Sequence, residues 1–290
     1  MPFAKKSLGQ NFLISPRIVD VIVYAGELKV GETVLEIGPG KGVLTKALLE
    51  ASAHVRAIEK DDRLIPIIAK TFEEEIANKK LELIHGDIME MDVETLNKTL
   101  NLESSYKVIA NIPYYITGAL IRNFLSAKIK PSLMVLMVQK EVADRIIARD
   151  GKESILSLSI KAYAKSELVM NVSRGNFFPI PNVDSAVIKL SNIQAPFVNE
   201  NGTPDKIVEE RFFEIIKAGF AQKRKKLISN LGKVIPKGMR REKLKETPRK
   251  KLETLFEKLG LDENIRAEDV PLETWLEIAK SKQKTLKKTP

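Results

Sequence analysis

Cysteine is absent from this sequence, and histidine occurs only at His54 and His85. Without cysteine the chain can form neither a disulfide nor a thiolate metal site, and its redox compartment stays open. Neither histidine has a partner at a spacing typical of a metal site. We therefore expect no bound metal, and a metal-dependent or histidine-driven hydrolase is poorly supported.

Long apolar runs are missing as well. No stretch of the 290 residues approaches the roughly eighteen apolar residues of a membrane span. Lysines near the start are followed by no apolar segment, so a secretory signal is not expected. These features predict a cytoplasmic protein that does not bind membranes.

Positive charge, in contrast, is present and concentrated. The net charge is +10, and the segment from Gln222 to Lys251 holds thirteen basic and two acidic residues, which leaves −1 for the rest of the chain. This indicates a polyanionic partner, because phosphate contacts release counterions and supply sequence-independent affinity; a solvated helix face is the alternative. The candidate RNA-binding residues are Lys223, Arg224, Lys225 and Lys226.

Short β-branched runs alternate with amphipathic stretches over the first two thirds of the chain, as in βαβ units with a parallel sheet. The expected strands are residues 33–37, 55–58, 81–85, 108–110 and 133–138, with 167–172 and 185–190 as an antiparallel pair at the edge. The expected helices among them are residues 43–51, 62–72, 118–127, 141–148 and 154–164.

Beyond about residue 194 the periodicity is helical only, at residues 207–220, 223–231, 249–259 and 272–281. The predicted organisation is an α/β domain over residues 1–193, a linker over 194–205 and a small all-helical, basic, RNA-binding domain over 206–290. The first domain is expected to carry a mostly parallel, seven-stranded, Rossmann-like sheet.

A glycine-rich turn with Gly38, Gly40 and Gly42 leaves the first expected strand and enters a helix. Glycine permits a sharp turn and a close approach to a ligand. The dinucleotide fingerprint G-x-G-x-x-G would place its third glycine at Val43, so the spacing disfavours a pyrophosphate. S-adenosylmethionine has no phosphate and carries a cationic sulfonium, and it is the cofactor that the turn indicates; S-adenosylhomocysteine would be the product.

Two acidic residues follow at the ends of the next two expected strands. Glu59, about twenty residues beyond the glycines, is placed to accept hydrogen bonds from both ribose hydroxyls. Asp87 is placed to hold the adenine amine of the cofactor. Each alone could be a solvated acid or a helix cap, but three strand ends in the right order favour the cofactor site.

The tetrapeptide Asn111-Ile112-Pro113-Tyr114 follows the fourth expected strand. An exocyclic adenine amine is a poor nucleophile because its lone pair is delocalised into the ring. The side-chain oxygen of Asn111 and the carbonyl of Ile112 can accept its two protons, with Pro113 fixing the turn. These acceptors would draw the nitrogen towards tetrahedral geometry and bind the growing positive charge more tightly, with no base needed before transfer.

Aromatic rings are expected to hold the target base. Stacking is worth about 1–3 kcal/mol per base, which roughly balances the cost of extracting a base from its stack. Tyr114 supplies one ring, and Phe177 or its neighbour Phe178 is the candidate for the second. A loop aromatic that plugs the core is the structural alternative for either phenylalanine.

These motifs, in this order, resemble those of the KsgA/RsmA-type small-subunit rRNA adenine dimethyltransferases over nearly the whole chain. They are GQNFL at 9–13, EIGPGKG at 36–42, HGDI at 85–88, NIPYYIT at 111–117, QKEVADRI at 139–146, SLSI at 157–160, FFPIPNVDSAVIKL at 177–190 and GFAQKRKKLISNL at 219–231. EIGPGKG alone is generic to methyltransferases, whereas the ordered combination is specific.

The resemblance implies dimethylation of two adjacent adenosines near the 3′ end of 16S rRNA, within the 30S subunit or its precursor, by an enzyme expected to be monomeric. Carried over by position, cofactor contacts fall on Asn11, Leu13, Gly38, Glu59, Asp87 and Asn111, and base contacts on Asn111, Tyr114 and Phe177. The role of Asn11 and Leu13 rests on the resemblance alone.

Two alternatives stay open at this point. The family more often has leucine at the position of Ile112, and isoleucine is common there in the related 23S rRNA methyltransferases that confer macrolide resistance. A non-enzymatic nucleic-acid-binding factor on the same scaffold is the second alternative, although every catalytic position here is filled by a competent residue type.

Overall fold

The computed structural model describes residues 4–5, 8–100, 102, 106–199, 201–232 and 248–281. The chain divides into two compact units. The first, here called the sheet unit, comprises Met1–Ile147 and Tyr163–Gln194, and the second, the helical unit, comprises Ala148–Ala162 and Ala195–Pro290.

All the strands found among the described residues lie in the sheet unit. They are β1 Phe12–Leu13, β2 Thr33–Ile37, β3 His54–Glu59, β4 Leu81–His85, β5 Lys107–Asn111, β6 Leu133–Gln139, β7 Lys165–Val172, β8 Phe177–Phe178 and β9 Ser185–Ser191. Seven of them form one sheet in the order β4-β3-β2-β5-β6-β9-β7. Strands β2 to β6 are parallel, and β9 runs antiparallel to both β6 and β7. The predicted mostly parallel, seven-stranded sheet with an antiparallel edge pair is confirmed.

Burial explains why the central strands read as continuous apolar runs. The first six residues of β6, LMVLMV, are all buried, as expected of a strand covered on both faces. Four strands (β3, β5, β6 and β9) end one residue later than the sequence predicts, and among them β3 ends at Glu59 and β5 at Asn111. Both side chains therefore project from the carboxyl edge of the sheet.

Seven helices accompany this sheet among the described residues: α1 Pro16–Ala25, α2 Val43–Glu50, α3 Ile65–Thr71, α4 Glu73–Ala77, α5 Val93–Thr99, α6 Thr117–Ser126 and α7 Lys140–Ile147. The helix expected over residues 62–72 begins later. The carboxylate of Asp61 accepts hydrogen bonds from the backbone and guanidinium of Arg63, which holds that segment in a turn. Proline in the first turn of α3 then suits a helix start.

The helical unit contains α8 Ile155–Lys161, α9 Lys206–Gly219, α10 Leu227–Leu231, α11 Pro248–Lys258 and α12 Leu272–Ser281. Trp275 of α12 is fully buried, stacks on Phe220 with ring centroids 5.9 Å apart, and donates its indole N–H to the Val270 carbonyl at 3.2 Å. Gly219 ends α9 directly against the Trp275 ring, where a Cβ would clash. The close approach of α9 and α12 therefore requires glycine.

Two sequence-based expectations differ from the helical unit. The segment 148–162, expected in the first domain, belongs to this unit, where the Glu153 N–H donates to the Glu268 carbonyl at 2.8 Å. The helix expected over residues 223–231 is confined to α10, and residues 223–226 form an exposed turn before it. Buried Asn230 donates to the carbonyls of Gly219 and Gln222, which holds the chain before α10 in a turn.

None of the described helices is both long and apolar enough to cross a membrane.

Candidate active site

A pocket opens at the carboxyl ends of β2, β3, β4 and β5, the end of an open parallel sheet at which ligands bind. Its walls come from residues 8–13, 36–41, 43–44, 58–60, 86–88 and 111–116. The predicted cofactor and tetrapeptide residues all line it: Asn11, Leu13, Gly38, Gly40, Glu59, Asp87, Asn111, Ile112, Pro113 and Tyr114. The fold thus brings together positions that are a hundred residues apart.

The glycine turn after β2 has the backbone that its sequence suggests. Gly38, Gly40 and Gly42 have φ values of 70°, 61° and 80°, a region that residues with a side chain rarely adopt. A Cβ on Gly40 would also lie 3.1 Å from the ring of Phe12, which lines the pocket. At Gly38 and Gly40 the turn therefore presents backbone without a side chain to the pocket.

Glu59 is held rigidly at the end of β3. It is 5 % exposed; its Oε2 accepts the Gly40 N–H at 3.0 Å, and its Oε1 accepts the Asp61 N–H at 2.8 Å. Burial raises the pKa of Glu59, while these two backbone N–H groups oppose the shift. Each carboxylate oxygen keeps a second lone pair for a further donor in the pocket.

Asp87 follows β4 and also has two donors. Its Oδ2 accepts from the Lys60 ammonium at 2.5 Å, and its Oδ1 accepts the Met89 N–H at 2.9 Å. Burial alone would raise the pKa of Asp87, but the hydrogen bonds from Lys60 and Met89 outweigh it and lower the pKa. Asp87 is therefore an ionised acceptor at neutral pH.

Glu36 is an acid in the pocket wall that the sequence analysis quoted only as part of a motif. It is 1 % exposed, and neither carboxyl oxygen has a hydrogen-bond partner within the described part of the chain. Burial raises its pKa to about 8; the Glu59 charge adds to this shift, and the nearby Thr45 hydroxyl opposes it. An unpartnered buried carboxyl is costly, so its position in a pocket points to a ligand donor.

The segment before β1 covers one side of the pocket. Gln10 donates to Asp61 at 2.8 Å, and Asp61 also pairs with Arg63 at 2.6 Å. The Asn11 side-chain amide donates to the Gly9 carbonyl at 3.2 Å. The backbone carbonyl of Asn11 accepts from the Asn111 side-chain amide at 3.4 Å. The amide nitrogen of Asn111 is thereby turned towards Asn11.

The tetrapeptide lies next to this segment, which it meets through the contact between Asn111 and Asn11. The Asn111 side-chain oxygen accepts no hydrogen bond from the described residues, and Ile112 is 2 % exposed. Pro113, with φ −57° and ψ 133°, turns the chain into a 3-10 helix over Tyr114–Ile116. The Tyr114 hydroxyl meets the hydroxyl of fully buried Ser185, at the start of β9, at 2.7 Å. Burial raises the pKa of Tyr114.

The two phenylalanines after β7 differ in environment. Phe177 is 1 % exposed and belongs to the hydrophobic core of the sheet unit, and it does not line the pocket. Phe178 is 63 % exposed. In this conformation Phe177 has no free face for a base, because the apolar core covers it, so its stacking role stays a prediction that requires the ring to turn outward.

The four candidate RNA-binding residues Lys223, Arg224, Lys225 and Lys226 lie on the turn between α9 and α10 and are all exposed. We call residues 223–226 the basic turn. Buried Asn230 fastens it by donating to the carbonyls of Gly219 and Gln222, at 2.5 Å and 3.1 Å. Six more cations of the predicted basic segment, at positions 233, 237, 240, 241, 243 and 245, lie outside the described residues.

No cluster of acidic or histidine side chains suited to a metal ion occurs among the residues that the structure describes. The groups gathered here include carboxylates, amides, carbonyls and the two phenol rings of Tyr114 and Tyr115. Such a set can bind a cationic or hydroxyl-bearing ligand and can accept the protons of an amine.

Known proteins resemble this chain over most of its length. A family model described as ribosomal RNA adenine dimethylase matches residues 2–284. The "Ribosomal RNA small subunit methyltransferase A" of Dehalococcoides mccartyi is 39% identical over 272 residues, which cover 94% of this chain and 86% of the relative. The protein of the same name from Listeria monocytogenes is 41% identical over 236 residues, or 80% of this chain and 77% of the relative.

Solved structures agree. A dimethyladenosine transferase from Plasmodium falciparum superposes with a TM-score of 0.75 at 27% identity, covering 94% of this chain and 98% of that protein. The 23S rRNA methyltransferase ErmE superposes with a TM-score of 0.69 at 24% identity, covering 93% and 98%, and shows the shared fold.

Proposed function

This chain belongs to the ribosomal RNA adenine dimethylase family, and from that premise we propose that it dimethylates two adjacent adenosines near the 3′ end of 16S rRNA. Membership makes it an rRNA adenine methyltransferase. The small-subunit names of the relatives favour 16S rRNA over the 23S alternative. The proposal includes S-adenosylmethionine as methyl donor and a cytoplasmic monomer that acts on the 30S subunit or its precursor.

The observation that carries the proposal is the pocket of acids beside the Asn111 tetrapeptide. S-adenosylmethionine has an α-ammonium and a sulfonium, two ribose hydroxyls and an adenine amine. Unpartnered Glu36 suits a cationic group, Glu59 has lone pairs left for the ribose hydroxyls, and Asp87 suits the amine. The bare turn around Gly38 and Gly40 allows close approach. When bound, the cofactor supplies an electrophilic methyl group.

Asn111 and Ile112 are proposed to prepare the target amine. The side-chain oxygen of Asn111 and the carbonyl of Ile112 would accept the two amine protons, which localises the nitrogen lone pair for attack on the methyl carbon. The C–N bond forms as the sulfur–methyl bond breaks, and the nitrogen becomes positive. The two acceptors stabilise that charge, and the surplus proton leaves to water afterwards.

Tyr114 is proposed to stack on the target base. Its hydroxyl is tethered to Ser185 at 2.7 Å, which supports a ring held in one orientation. Stacking on this ring would supply about 1–3 kcal/mol towards base extraction. Phe177 would add a second ring only after turning outward from the core, because it is buried in the present conformation.

The basic turn is proposed as the RNA grip. Its four cations are exposed and adjacent in sequence, and Asn230 fixes the backbone beneath them. Lysine and arginine neutralise phosphates and supply affinity without reading sequence. Selection of the two adenosines would then come from the site itself and from the shape of the subunit.

Incubation with labelled S-adenosylmethionine and undermethylated 30S or 50S subunits tests the function, with the modified base mapped afterwards. We expect dimethyladenosine at two adjacent positions of 16S rRNA and no label in 23S rRNA. Asn111→Ala serves as the matched inactive protein. Label in 23S rRNA would support the alternative enzyme, and binding without transfer would support a non-enzymatic factor.

A further inference from the structure

The two-stranded pair β1–β8 separates two aromatic faces beside the pocket. Phe12 lies opposite Phe178 and Leu13 opposite Phe177 in an antiparallel register. Opposite residues project to the same face, about 5 Å apart at Cβ, and neighbours along a strand project to opposite faces. Phe12 and Leu13 both pack into the core and line the pocket, whereas on β8 Phe177 is buried in the core and its neighbour Phe178 is exposed.

Phe178 is the centre of an exposed apolar surface. Phe178 and Ile180 are each 63 % exposed, and Ile14 is 57 % exposed. The Ile14 N–H donates to the Asn176 carbonyl at 2.9 Å, which joins the end of β1 to the start of β8. We call Ile14, Phe178 and Ile180 the apolar lip. Exposed apolar groups clustered next to a pocket mark a binding surface.

We propose that the ring of Phe178 stacks on the base of a nucleotide that adjoins the target adenosine in the RNA. This inference rests on the proposed function and extends it. When one base is drawn out of its stack, its neighbour loses a stacking partner and exposes a flat apolar face. The apolar lip offers such a base a replacement partner.

Position and charge both favour a nucleotide as the occupant. Phe178 pairs with Phe12, and Phe12 forms the pocket wall, so the lip continues the surface that the target base must cross. Exposed Arg174 lies in the turn just before β8; the Asp184 carboxylate accepts its backbone N–H at 2.9 Å, while its guanidinium forms no salt bridge within the described residues and can reach a phosphate.

Steady-state methylation of undermethylated small subunits by the full chain tests the proposal. Phe178→Ala should raise KM for subunits about five- to a hundredfold, with a much smaller change in kcat, because it removes stacking with one base. Phe178→Tyr and Phe178→Trp should restore KM, whereas Phe178→Leu should not, since leucine keeps apolar area but has no ring face. Tyr24→Ala, which removes a remote aromatic 86 % exposed on the same unit, should leave KM unchanged.

Salt dependence provides a second readout. Because Phe178 contacts no phosphate, Phe178→Ala should shift log KM without changing its slope against log salt. An unchanged KM, or a KM restored fully by leucine, would overturn the proposal; the latter would indicate an apolar protein contact instead. A chain that methylated no rRNA would overturn both this inference and the proposed function, whereas normal wild-type turnover with an insensitive Phe178 overturns the inference alone.

Discussion

Replacing Glu36 by glutamine should flatten the pH dependence of stability of the sheet unit. In the cofactor-free fold, burial raises the pKa of Glu36 from its ordinary value of 4.5 to about 8. The folded state therefore holds this proton more tightly than the unfolded state does. The stability contributed by the group is fully present below pH 4.5 and is lost progressively as pH rises to 8.

The magnitude follows from the shift. Each pH unit within that window costs up to about 1.4 kcal/mol, so the loss at pH 9 exceeds the loss at pH 6 by about 3 kcal/mol. Glutamine matches the shape of the neutral carboxyl and cannot ionise. The variant should therefore lack this part of the decline in the free energy of unfolding.

Urea unfolding at pH 6 and pH 9, followed through tyrosine absorbance, measures the effect. All five tyrosines lie in the sheet unit, so their absorbance follows the unfolding of that unit. The single tryptophan, Trp275, lies in the helical unit, so its fluorescence follows that unit as an internal control in the same sample. A Glu36→Gln profile parallel to that of the wild type would show that the carboxyl is not a buried neutral acid.

Cofactor binding gives a second measure of the same group. If Glu36 pairs with a cation of S-adenosylmethionine, it must ionise on binding, and with a pKa of about 8 it should release about 0.9 proton at pH 7. Calorimetry in two buffers of different ionisation enthalpy counts that proton. The release should be absent in Glu36→Gln, and equal release from both proteins would refute the pairing.

Three further outcomes test the catalytic and RNA-binding residues. Asn111→Ala should lower kcat at least about a hundredfold with an unchanged circular dichroism spectrum, and near-normal methylation of 30S particles would refute the proposed role. Ser185→Ala should lower kcat/KM about two- to tenfold by releasing the Tyr114 ring, and the loss should vanish in a Tyr114→Phe background; a loss that persists there would mean that Ser185 acts through packing. Charge reversal at Lys223 and Arg224 should weaken subunit binding and flatten the slope of log affinity against log salt by about 2, with cofactor affinity unchanged.

The sheet could be predicted from the sequence because its signals are local. A run such as LMVLMV, buried over its whole length in β6, has a strand pattern that does not depend on distant residues. The helices found near residues 62–72 and 223–231 begin later than expected because side-chain hydrogen bonds hold the preceding residues in turns. Before the first helix, the Asp61 carboxylate accepts hydrogen bonds from Arg63. Before the second, buried Asn230 fixes the turn by donating to the carbonyls of Gly219 and Gln222.

In the candidate site, the positions of the residues could be predicted from the sequence, whereas their environments could not. The expected strand ends and the glycine spacing predict that Glu59, Asp87 and Asn111 lie at one edge of the sheet, because parallel strands align their carboxyl ends. The environment of each side chain, however, is a non-local property. Glu36 precedes Gly38 in a motif that would be the same if its carboxyl were solvated, and only the fold shows that neither carboxyl oxygen has a hydrogen-bond partner among the described residues.

Phe177 and Phe178 are the clearest example of two residues that the sequence alone does not distinguish. Adjacent and chemically identical, they are equivalent to any argument from composition or spacing. Their difference arises because a strand alternates its faces and because β8 pairs with β1, some 165 residues away in sequence, in the register that sets Phe177 beside Leu13. A shift of one residue would exchange the two rings. Which of the two aromatics is exposed is therefore decided by strand register, and the register depends on the pairing with the N-terminal segment that also lines the pocket.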